Sequence, residues 1–129
     1  MSIQIVKLGE PRRKLEGIRI GTVRRPPRGV KKSDYAKLDW FDIWFPNLAP
    51  SVETMRLGKD SVTEAQWKQF EKKYRKEMSA PAAQHELNLL ATLSHGTDFS
   101  VGCYCEDENR CHRSILRQLL LDAGAMVKT

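Results

Sequence analysis

The chain has 129 residues, a hydrophobic fraction of 40% and a charged fraction of 29%, enough to bury a core as one domain, residues 1–129, without disulfides or metal. No apolar run approaches the roughly 18 residues of a membrane span, and the start MSIQIVKLGEPRRK lacks the apolar stretch of a signal peptide, so a cytoplasmic protein is expected. The net charge of +6 and pI of 9.4 fit an anionic partner, but no nucleic-acid-binding motif accompanies the charge, which makes nucleic acid an alternative partner only.

Ile3 and Ile5 alternate with polar residues and predict a strand over residues 2–7. In residues 17–24, GIRIGTVR, Ile18, Ile20 and Thr22 share one face, which predicts a second strand paired with the first or near it. Residues 24–34, RRPPRGVKKSD, are neither helix nor central strand, because Pro26 and Pro27 lack donors and Gly29 frees φ. This stiff basic loop offers Arg24, Arg28 and Lys31 as ligand-binding candidates, since guanidinium forks match phosphate or carboxylate oxygens. A solvated surface loop is the plain alternative.

Residues 35–45, YAKLDWFDIWF, are apolar enough for core or pocket wall, with a periodicity open to helix or strand; Trp40 and Trp44 share a face only in a helix. Ser51 is a fair N-cap for a short helical turn that Gly58 closes. From Thr63 to Met78, Trp67, Phe70, Tyr74 and Met78 recur at helical spacing, and Thr63 with Gln66 forms a capping box. Ser79, with Pro81 just inside, is expected to start another helix that stops at Gly96. His85 and His95 read as surface or capping histidines. Residues 99–105, FSVGCYC, alternate like a strand, residues 106–110 form an acidic connection, and a helix runs from about Cys111 to Ala123, with Gly124 in the C′ position. The order β, β, loop, helices, β, helix predicts an α/β or α+β domain, with helices on a small sheet of about 3–5 strands.

Gly17, Arg19 and Ile20, the loop residues Arg24, Pro27, Arg28, Gly29, Val30, Lys31 and Lys32, Trp44 with Pro50 and Ser51, and Phe70 with Tyr74 together resemble the YeaO-like branch of the DUF488 family, a domain of unknown function. Cys111, His112 and Arg113 resemble the Cys-His-Arg of cysteine-bearing members. The resemblance implies a small α/β protein and no particular activity.

All three cysteines fall within residues 103–111. An odd number so close together does not suit a secreted disulfide framework, and reduced thiols are expected. In a regular strand Cys103 and Cys105 share a face with Cβ atoms roughly 6.6 Å apart, too far for a disulfide or for joint ligation of one ion. Cys103 therefore reads as core. Cys111 at a helix start, beside Arg110 and Arg113, should be favoured as a thiolate, with Cys105 and His112 as partner thiol or general base. The expected function is binding of a small anionic, phosphate- or nucleotide-like ligand by Arg24, Arg28, Lys31 and Arg113 at this strand-helix junction, where Cys111, His112 and Cys105 could act as catalytic groups. The alternative is a zinc or iron site made by Cys103, Cys105, Cys111 and His112, which needs the strand to end or bend at Tyr104. Cys111 and Arg117 also have the C-x5-R spacing of thiol phosphatases, but the intervening HRSIL is helical and turns Arg117 about 240° away.

Overall fold

A computed structural model describes residues 1–105 and 111–128. Its four strands, β1 (Ile3–Lys7), β2 (Ile18–Gly21), β3 (Ile43–Trp44) and β4 (Phe99–Cys103), form one sheet in the order β1-β4-β2-β3. Every pairing is parallel. With the helices α1 (Val52–Lys59), α2 (Glu64–Met78), α3 (Pro81–Leu93) and α4 (His112–Asp122), the protein is an α/β fold. Among the described residues, no helix is long and apolar enough to cross a membrane.

The first two strands do not pair. Ile3 and Ile18 are both in register with Phe99, because β4 lies between them. Every residue of β4 is buried, as expected of a central parallel strand covered on both faces. One face of the sheet, with Ile3, Ile5, Ile20, Phe99 and Val101, packs on Phe70, Tyr74, Met78, Leu87, Leu90 and Leu116 of the helices. Irregular segments cover the other face. Gly21 lies so close to the Phe41 ring that a Cβ there would stand 2.3 Å from it.

Helix ends follow local chemistry with two exceptions. The Thr63–Gln66 capping box forms, and Gly124 leaves α4 at a φ of 94°. However, α1 continues through Gly58 to Lys59. Gly58 serves helix packing instead of termination, since a Cβ there would meet the Phe70 ring at 2.6 Å. Ser79 closes α2, and Ala80 is the residue that caps α3. Residues 35–45 hold turns and the two-residue β3, so Trp40 and Trp44 share no helical face.

Candidate functional site

Because the sheet is parallel, β1, β2 and β4 end at one edge. There β4 stops at Cys103, which removes the extended spacing that would hold Cys103 and Cys105 on a straight line. The acidic connection of residues 106–110, with Arg110, lies outside the described residues. The chain is described again at Cys111, the N-cap of α4, whose side chain makes no capping hydrogen bond. Its Sγ instead stands 2.7 Å from Cys103 Sγ and 3.7 Å from His112 Nδ1.

Cys103, Cys111 and His112 are all buried, and their sulfur and nitrogen atoms lie within 4.8 Å of one another. None of the three cysteines is in a disulfide. Cys103 is a core residue too, packed with Leu8, Val23 and Phe41, so the reading of Cys103 as plain core covers half of its role. The Thr22 carbonyl can only accept, so the 2.8 Å contact with His112 Nε2 places the ring proton on Nε2 and leaves Nδ1 as a lone pair toward Cys111. The Tyr74 ring meets the imidazole edge-on at 5.6 Å. Burial lowers the His112 pKa to about 4, against the opposing pull of the Thr22 carbonyl.

The charge in the cysteine cluster falls on a different sulfur from the one expected at the helix start. Hydrogen bonds from the Cys103 and Cys111 thiols, with the positive charge of Arg113 adding to them, pull the exposed Cys105 thiol well down despite its desolvation. Cys103 is driven up by its hydrogen bonds to Cys105 and Cys111 and by burial. The Cys103 hydrogen bond pulls Cys111 down, but Cys105 and burial outweigh it and raise that thiol. The helix start therefore does not make Cys111 the thiolate.

The cluster forms part of the wall of a cavity of about 1540 Å³. Cys103, Cys105, Cys111 and His112 face it from the sheet edge, while Arg24, Arg25 and Arg28 reach it from the basic loop. Trp40, Tyr104, Met55, Trp67 and Phe70 also line it. Two contacts fix the loop in place. Tyr104 Oη donates to the Arg25 carbonyl at 2.9 Å, and the Arg24 guanidinium donates to the Ala49 and Pro50 carbonyls at 2.8 and 3.1 Å. Lys31 is exposed and lies outside the cavity lining. Arg113 is buried behind the wall, where Nη2 donates to the Cys105 carbonyl at 2.7 Å and Nε has no partner among the described residues. Arg117 donates to the Lys128 carbonyl, in keeping with the dismissal of the C-x5-R spacing.

Thr22, Tyr74 and the Tyr104 hydroxyl escaped the sequence reading of the site. Thr22 acts through its carbonyl, which no residue type signals. Tyr74 was legible only as an apolar helix position, while Tyr104 had a weak sign in its place between two cysteines.

The family model DUF488-N3a, described as the active DUF488-N3 subclade, matches residues 3–124. The chain belongs to this family. The YeaO-like resemblance of its basic loop, and the Cys-His-Arg of cysteine-bearing members of the wider family, agree with that membership, and the match spans every strand and helix of the DUF488-N3a fold. No curated protein and no solved structure matches the chain.

Proposed function

We propose that this DUF488-N3a protein binds a small anionic ligand, phosphate- or nucleotide-like, in the cleft at the carboxyl edge of its sheet. One observation carries the reading: Arg24 and Arg28 from the basic loop and Cys105, Cys111 and His112 from the β4–α4 junction line the same cavity. Ligands of open parallel sheets bind outside the carboxyl ends of the strands, where backbone N–H groups and helix N-termini are available. The first turn of α4 carries no acidic residue to oppose an anion. Arg28 is exposed in the cavity wall and suits the charged group. Met55, Trp67 and Phe70 suit an apolar or aromatic part of the same ligand. Cys105 is the exposed sulfur at the wall and would meet a bound ligand, with Cys111 and His112 in the same wall.

The test is titration of the purified protein with inorganic phosphate, AMP and ATP, followed by calorimetry and thermal unfolding. Saturable binding should raise the melting temperature with ligand concentration. Arg28→Ala should weaken it about tenfold, the loss of one charge-assisted contact of about 1.4 kcal/mol. A wild-type protein that none of the three probes stabilises would sink the reading. Steeply salt-dependent binding to arbitrary DNA in their place would move it to nucleic-acid association.

A further inference from the structure

We infer that Cys103, Cys111 and His112 form a three-ligand centre for a thiophilic divalent ion of the zinc class at the wall of the cleft. Two sulfurs and one imidazole nitrogen are a ligand set that zinc takes readily, and three protein ligands with one open position are the pattern of reactive zinc centres. One of the distances already fits and one has to open. Around one zinc ion a sulfur and a nitrogen ligand stand roughly 3.6 Å apart, and Cys111 Sγ and His112 Nδ1 are at 3.7 Å. The two sulfurs, at 2.7 Å, would open to about 3.8 Å.

The imidazole is oriented as a ligand. Its Nε2–H is held by the Thr22 carbonyl, the outer contact that metal-binding histidines commonly make, so Nδ1 faces the sulfurs. Other roles account for less of this arrangement. Two buried thiols acting as small hydrophobes need no imidazole beside them, and a thiol is a weak donor for a buried ring nitrogen. A disulfide between Cys103 and Cys111 would leave Nδ1 without a donor. The ligands sit at the end of β4 and the start of α4, which hold them in fixed positions, and all three line the cavity. Cys105 falls outside the group of three, although its thiol is hydrogen-bonded to those of Cys103 and Cys111; the three ligands named do not require it, and replacing it separates the two cases.

The centre goes beyond the anion reading and is tested with neither phosphate nor nucleotide present, so either can fail alone. Reduced, chelator-treated protein is titrated with Co(II) and then with Zn(II). The expected result is a single Co(II) with a thiolate-to-cobalt charge-transfer band and the intense visible bands of a tetrahedral site, both lost on adding Zn(II). Cys105→Ser should keep these bands. His112→Ala should alter them and weaken binding by more than the 10–100-fold typical of losing an outer-shell partner. Folded wild-type protein without tetrahedral bands overturns the proposal, as does a Cys105→Ser variant that loses them or a His112→Ala variant whose spectrum is unchanged. Should His112→Ala not fold, the charge-transfer intensity of the wild type decides between two thiolates per cobalt, as proposed, and three.

Discussion

Arg19 near the amino end of the sheet and Arg113 beside its carboxyl end are almost equally inaccessible, at 1% and 4% exposure, yet their guanidinium groups are met in opposite ways. Arg19 donates from Nε and Nη2 to the two Glu16 carboxylate oxygens at 2.6 and 2.8 Å, and from Nη1 to the Glu10 and Asp39 carbonyls. Glu16 in turn accepts from the Arg13 N–H and the Ser100 hydroxyl. Among the described residues the Arg113 guanidinium makes one bond, to the Cys105 carbonyl, and its Nε is unpartnered. The amino end is a polar cluster that the chain completes for itself and works as a clamp. The carboxyl end keeps the Arg113 Nε donor in reserve, and its imidazole Nδ1 meets only a thiol, at 3.7 Å. Buried polar groups are normally satisfied, so the second cluster is the one where an outside partner is expected.

The largest effect should come from breaking the clamp. Arg19→Met leaves the Glu16 carboxylate buried without its counter-charge, a loss of 3–5 kcal/mol by the usual cost of unpairing a buried ion. Residues 10–11 and 39 lose their anchor as well. Urea unfolding of the variant measures this directly, and a loss below about 1 kcal/mol would mean that the Arg13 N–H and Ser100 hydroxyl contacts alone hold Glu16.

Next in size is the response to acid. Burial pushes the Glu16 carboxyl up, but the Arg19 hydrogen bond and those from Arg13 and Ser100 outweigh it and lower the pKa from 4.5 to about 2. A folded-state pKa below the unfolded one means that the stabilisation is complete above pH 4.5 and is lost as the pH falls toward 2. The loss should be on the order of 3 kcal/mol. Denaturation midpoints between pH 6 and pH 2.5 check it, and in Arg19→Met the Glu16 contribution to this decline should disappear.

These two predictions rest on residues whose roles the sequence showed only in outline. Alternation placed Ile3, Ile5 and Ile20 correctly in strands, and the Thr63–Gln66 box marked the start of α2, because these signals are local. Arg19 occupied the polar face of GIRIG, and nothing local indicated that irregular segments would cover that face. Gly17 and Arg19 entered through resemblance, and the structure supplies the reasons. Gly17 has a φ of 72°, and a Cβ on it would stand 2.0 Å from the Asp98 carbonyl oxygen. Arg19 is the centre of the clamp. At the other end, the strand-helix junction was legible from FSVGCYC and the helical pattern after it. The meeting of Cys103 with Cys111 was not, because it depends on where β4 stops and how the chain returns. Strand spacing gave Cys103 and Cys105 a distance that applies only while the strand continues, and it ends at Cys103.

The smallest expected effect gives the sharpest form of the comparison. Arg113→Met keeps length and apolar bulk, removes a buried charge, and gives up one hydrogen bond to a carbonyl. No described carboxylate is left stranded by the change, so the desolvation relieved on losing the cation offsets the lost bond, and stability should stay within about 1 kcal/mol of the wild type. The same substitution at position 19 should cost several times more, although the two side chains are alike and almost equally buried. Urea unfolding of both variants in one buffer reads the ratio. Equal losses would mean that Arg113 is as fully integrated as Arg19, and the distinction between a finished and an unfinished end of the sheet would have to be abandoned.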